Sequence, residues 1–137
     1  MINFTNSQEF RKSHILFSCY FVFMLDPNKL RVYSQAKELT NSVYAITKKF
    51  PVEEKYEIVN QIRRASASIG ANIAEGCGRT SRADMRRFFH ISLGSLLEVK
   101  YFLELSKMLQ YLTDEEFTNL YTNANSLSKQ LISFIKS

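Results

Sequence analysis

The chain has 137 residues, 45% apolar and 23% charged, with four glycines, two prolines and a net charge of +5. That length suits one domain with a sizeable core, and the scarcity of Gly and Pro argues against a meander of short strands and for long uninterrupted elements. A pI near 9.3 favours a polyanionic partner; Cys19 and Cys77 lack metal-like spacing and fit a reduced, cytoplasmic context, while His14 and His90 alone are a poor stock for a metal site.

Residues 1–25 differ from the rest. An apolar run over residues 15–25 follows Arg11, Lys12 and His14. It falls short of the ~20 residues of a spanning helix, and Asp26-Pro27 follows it where a secretory signal would carry small residues. Three readings stand side by side. Translation starts at Met24 and the upstream residues are an artefact or a disordered tail; or they are a packed extension; or they make a signal or membrane contact. The folded domain is assigned to residues 26–137, with no membrane contact expected of it.

Asp26 is read as an N-cap with Pro27 at the first helical position, opening a first helix to about Lys49. Tyr33, Ala36, Leu39 or Thr40, Val43, Ile46 or Thr47, and Phe50 share one face at steps of three and four. Pro51 blocks continuation. The second helix is expected from Val52 or Glu53, with Glu53 and Glu54 at the positive end of its dipole. Its apolar face is Tyr56 or Val59, Ile62, Ala65 or Ser66, Ile69 and Ile73. Gly70, Ala71 and Ala74 are small enough for a neighbouring helix to approach, a packing reason for a glycine that costs about 1 kcal/mol of helix propensity. Gly76-Cys77-Gly78 ends the helix, with Gly76 or Gly78 able to adopt a left-handed C-cap.

Ser81 opens the third helix, with Asp84 where a capping box carries Glu. It is expected to reach Leu109 or Gln110, about 42 Å. Its seam is Met85, Phe88 or Phe89, Ser92, Leu96, Val99, Leu103 and Ser106, with Ser92, Gly94 and Ser95 placed where the second helix crosses. Thr113 and Glu116 form a full capping box. In the fourth helix Phe117, Leu120, Ala124, Leu127, Leu131 and Phe134 recur as a heptad. Four long helices with short turns predict an all-α, antiparallel up-down-up-down four-helix bundle.

The stretch of residues 61–87 concentrates the charge. It carries Arg63, Arg64, Arg79, Arg82, Arg86 and Arg87 against only Glu75 and Asp84, which is +4 of the net +5. Arg79, Arg82 and Arg86 fall at steps of three and four and share a face, with Arg63 and Arg64 expected to join them across the turn. Guanidinium groups suit bidentate phosphate contacts, so the patch is read as a phosphate-binding face. The competing reading is a solvated face, paired with Glu75, Asp84 or Glu98 within or between subunits. No base-specific readout is evident, so binding would be backbone-driven and salt-sensitive.

No catalytic residue, metal site or cofactor is assigned. Asn72 and Glu75 lie one turn apart among small residues and are expected to hydrogen-bond across the bundle or to cap backbone near Gly76, with Gly76 and Gly78 as structural glycines; a general base at Glu75 lacks a partner. Cys77 with His90 lacks a third orienting group. Arg87, not Glu, precedes His90 by three, which rejects a di-iron bundle, and no phosphate-binding glycine loop is present. Tyr44, Tyr101, Tyr111 and Tyr121 exceed the needs of one core and either stack bases or mark a subunit interface.

Two segments together, residues 61–79 (QIRRASASIGANIAEGCGR) and residues 88–98 (FFHISLGSLLE), carry a family resemblance. From about Leu30 to Ser137 the chain resembles the four-helix bundle proteins encoded within intervening sequences of bacterial large-subunit ribosomal RNA genes. That family is similar in fold to the accessory protein of diversity-generating retroelements. The resemblance implies an antiparallel bundle assembled as a homopentamer, without enzymatic activity, and a possible reverse transcriptase or nucleic-acid partner; a ribosomal label on such proteins does not imply a place in the ribosome. The family commonly carries Trp, Pro and Gly where Tyr33, Gly70 and Gln110 stand here. The crossing of the second helix and the turn before Thr113 are therefore expected to depart from the family pattern. The expected function is a non-enzymatic homo-oligomeric adaptor that binds RNA or DNA backbone through the arginine face. The alternative is a protein-interaction scaffold without nucleic-acid affinity.

Overall fold

In the computed structural model, which describes residues 24–137, Asp26 and Pro27 do not open the first long helix. The Asp26 carboxylate accepts the Asn28 N–H, and Pro27–Lys29 close a single 3-10 turn that ends at an extended Leu30. A short acidic side chain that satisfies backbone two residues on competes with α-helix nucleation. Helix α1 (Arg31–Thr47) therefore starts four residues later than expected, with Leu30 at its N-cap and no side-chain cap. The readings offered for the run over residues 15–25 lie outside the described residues except at its last two positions. There Leu25 is half-buried and donates its N–H to the Cys77 carbonyl at 3.0 Å.

Pro51 ends α1 as expected, but Val52–Glu54 again form only a 3-10 turn. Helix α2 (Ile58–Cys77) begins beyond it, so Tyr56 stays outside the helix and 78% exposed. Ile58 and Val59 occupy the inward position instead, followed by Ile62, Ala65, Ser66, Ile69 and Ile73. Helix α3 (Arg82–Met108) buries Met85, Phe89, Ser92, Leu96, Val99, Leu103 and Ser106, so Phe89 and not Phe88 takes the core position. Helix α4 (Asp114–Lys136) buries Leu120, Ala124, Leu127 and Leu131, with Phe117 and Phe134 half-buried at the ends of the same stripe.

The described chain is all-helical, with one contiguous core drawn from all four helices. Contacts climb one helix as they descend its neighbour. Ser92 Oγ donates to the Ile69 carbonyl at 2.8 Å, and Gly76 meets Phe89 further along the same α2–α3 pair. Thr40 Oγ1 donates to the Ser66 carbonyl, and Arg63 Nε donates to Thr47 Oγ1, tying α1 to α2. Tyr121 donates to Glu104, and the Phe89 and Phe134 rings lie 4.8 Å apart, joining α3 to α4. Lys49 pairs with Glu116 where α4 closes against the end of α1. Each buried Ser or Thr hydroxyl donates to a carbonyl, so these crossings hide no unpaired hydroxyl.

Gly70 and Gly94 act differently from their expected roles. A Cβ on Gly70 would sit 3.7 Å from Ala36 Cβ, an ordinary contact, so close approach does not require that glycine. Ser92 and Ser95 do lie at the α2 crossing, whereas a Cβ on Gly94 would meet nothing within 4 Å.

Candidate nucleic-acid interface

The last turn of α2 carries Gly76, whose role is set by a side chain thirteen residues on. An added Cβ would stand 2.9 Å from Cδ1 and Cε1 of the fully buried Phe89 ring and 3.1 Å from the Met85 carbonyl. Only hydrogen fits there. Gly78 is the C-cap, yet its φ of −82° is right-handed, and no glycine among the described residues has positive φ. The expected left-handed cap is replaced by tightened bonds, Gly78 N–H to Glu75 and Arg79 N–H to Gly76. Ser81 then caps α3, its hydroxyl accepting the Asp84 N–H at 3.1 Å.

This turn brings four arginines together. Arg79 pairs with Glu75 and stands 3.7 Å from Asp84, while Arg87 Nε donates to Asp84 at 3.0 Å. Both guanidinium groups lie 4.4 Å from the centre of the Phe88 ring, which is thus flanked by two cations. Arg82 and Arg86 reach the other way. Their Nη2 groups converge on one backbone oxygen of Ser137, at 3.0 and 3.1 Å. Glu75 and Asp84 pair with Arg79 and Arg87 only, while Arg82 and Arg86 have no carboxylate partner among the described ion pairs.

Arg63 and Arg64 do not join them. They lie in the first half of α2, about 20 Å along the helix from the turn, because the intervening residues are continuous helix. Arg63 packs on the Tyr44 ring at 4.8 Å and donates to Thr47 Oγ1 at 2.8 Å and to the Tyr44 carbonyl, while Arg64 is exposed.

Asn72 donates to the Ser68 carbonyl and hydroxyl, and Ser68 bonds Ser95 of α3 at 2.9 Å. Asn72 is thereby linked across the α2–α3 interface, while Glu75 engages Arg79. Cys77 is buried, and burial, with a smaller contribution from Asp26, pushes its thiol up to about 11. It is a protonated, inert thiol at neutral pH, which removes the pairing with exposed His90. Among the described residues no three His, Cys, Asp or Glu side chains cluster as a metal site. No helix there is long and apolar enough to cross a membrane.

The tyrosines separate into two groups. Tyr111 donates to Glu54 and Tyr121 to Glu104, and each hydroxyl is held above its usual pKa by that carboxylate bond. Tyr44 and Tyr101 remain 43% and 59% exposed. The shared helix face of Tyr33, Lys37 and Tyr44, at spacings of four and seven, was a readable signal beyond the arginine cluster.

Among the described residues, four long helices without a strand, a tight α2–α3 turn and an Arg-rich start to α3 define the class: a basic helical-bundle protein. The profile of the 23S rRNA-intervening sequence proteins matches residues 28–133, and the chain belongs to that family. It is similar to a crystallised protein of unknown function from the S23 ribosomal protein family of Bacteroides thetaiotaomicron. The identity is 33% and the TM-score 0.72, over 77% of this chain and 96% of that one. The search of curated proteins finds no match.

Proposed function

We propose that this chain is a non-enzymatic, homo-oligomeric adaptor that binds the RNA or DNA backbone through Arg79, Arg82, Arg86 and Arg87. The observation that carries the proposal is the convergence of Arg82 and Arg86 on a single oxygen, which orients two guanidinium groups for an anionic oxygen. Arg79 and Arg87, braced by Asp84 and Phe88, extend the positive face. In a homopentamer each subunit repeats this face, and weak contacts multiply.

Binding of labelled structured RNA and duplex DNA is measured across a salt titration, with light scattering for assembly. The expected result is binding whose log K falls with log salt at a slope of about −2 to −4, as for two to four phosphate contacts. Absence of binding at low salt overturns the proposal.

The scaffold reading draws on one observation of its own. Ile91, Leu97 and Tyr101 lie exposed on α3, with open space around Gly94. Such a face suits a protein contact, whether with another copy or with a partner such as a reverse transcriptase. A monomeric mass of 15.9 kDa in solution would remove the homo-oligomer from the proposal.

A further inference from the structure

A groove of about 480 Å³ runs between α1 and α2, at the scale of about 300–1,000 Å³ typical of small-molecule sites. Its floor is Ala67, Gly70, Ala71 and Ala74, which leave a shallow apolar surface along α2. Its wall is one face of α1, where Tyr33, Lys37 and Tyr44 stand in line. The two tyrosines are eleven residues apart, about 16 Å along the helix. Each ring already has a cation at its face. Lys37 Nζ lies 4.5 Å from the Tyr33 centroid, and the Arg63 guanidinium 4.8 Å from that of Tyr44. None of the lining residues is acidic.

Aromatic rings beside cations, over a floor without charge, match the chemistry of a single nucleic-acid strand. Its bases present flat faces to aromatic rings and its phosphates require positive charge. A double helix does not fit, because its bases are already stacked. The floor ends at Ala74, one turn before Gly78.

We propose that this α1–α2 groove is a single-strand site, with bases stacked on Tyr33 and Tyr44 and a phosphate held by Lys37, while Arg63, held by Thr47 outside the groove, braces the Tyr44 ring. The site does not depend on the arginine turn being a nucleic-acid face. A 12-nucleotide oligodeoxynucleotide carrying 5-iodouracil is titrated against the full chain and then photocrosslinked. The same titration is run on Tyr44→Ala, on Ala71→Glu, which places a carboxylate on the exposed floor, and on the double variant Arg82→Glu, Arg86→Glu. Circular dichroism checks each fold.

The expected result is crosslinking to Tyr33 or Tyr44, affinity about tenfold weaker in Tyr44→Ala and in Ala71→Glu, and the same crosslinks in the double variant. Those crosslinks stand as support even if the arginine turn proves irrelevant. Crosslinks confined to other residues, or unchanged affinity in both groove variants, overturn the proposal. So does a change of assembly state in the groove variants with oligonucleotide binding intact, which would make the groove a contact between copies.

Discussion

The two turns that bound α3 solve the same problem with opposite residues. The end of α2 and the turn after it carry two glycines, Gly76 and Gly78, and neither uses the left-handed conformation; Gly76 is needed for the space it leaves to Phe89. The α3–α4 turn carries no glycine, yet Gln110 adopts a φ of 62°. Gln110 N–H bonds the Lys107 carbonyl and Tyr111 N–H the Ser106 carbonyl, the paired bonds of a Schellman cap. The turn before Thr113 thus closes in a left-handed cap without a glycine. A glycine at a helix end can serve a neighbour's packing, and a non-glycine can be held in a left-handed cap by hydrogen bonds on either side.

The sharpest test of this contrast is Gly76→Ala. The added methyl overlaps a buried ring, and the expected loss is about 1–3 kcal/mol of stability by denaturant unfolding, in spite of alanine's better helix propensity. Gly70→Ala is the control on the same helix. Its methyl makes only ordinary contacts, and the expected gain is about 1 kcal/mol. If both variants behave alike, the packing role of Gly76 is refuted. At the other turn, Gln110→Gly relieves the left-handed conformation and should stabilise by about 0.5–1 kcal/mol; a loss there would break the comparison.

The smallest effect concerns the Thr113–Glu116 capping box beyond that turn. Bonds from Lys49 and the Thr113 N–H hold the Glu116 carboxyl below its usual value. A lowered folded pKa adds stability that is present above the ordinary carboxylate value of about 4.3 and disappears as pH falls through the folded value. Glu116→Gln should flatten this part of the acid limb of the stability–pH curve. An unchanged limb would show that the bonds do not persist in solution.

Much of this architecture was legible because helical periodicity records burial directly. The seam from Met85 to Ser106 and the stripe from Leu120 to Leu131 follow from spacing alone. So do the caps at Ser81 and Thr113, whose chemistry is local. The starts of α1 and α2 were less legible, because Asp26-Pro27 and Glu53-Glu54 serve a 3-10 turn as readily as a helix N-terminus. The reason for Gly76 lies in Phe89, on another helix. At the candidate site the steps of three and four among Arg79, Arg82 and Arg86 were visible. The turning of Arg82 and Arg86 away from Arg79 onto one oxygen was not, because Ser137 lies 51 and 55 residues away in sequence. Arg63 and Arg64 were grouped with them by proximity in sequence, which a continuous helix converts into distance.

The most direct test of the functional account compares the two ends of α3 with matched changes of charge. One variant carries Arg82→Glu and Arg86→Glu; the other carries Lys55→Glu and Lys107→Glu near the α3–α4 turn. Both are titrated with the same RNA and duplex DNA over a range of salt, with assembly checked by light scattering. The account predicts that the arginine variant binds at least tenfold more weakly with a salt slope shallower by about two, while the lysine variant binds as the parent does. Equal loss in both variants, or no loss in the arginine variant, would contradict it.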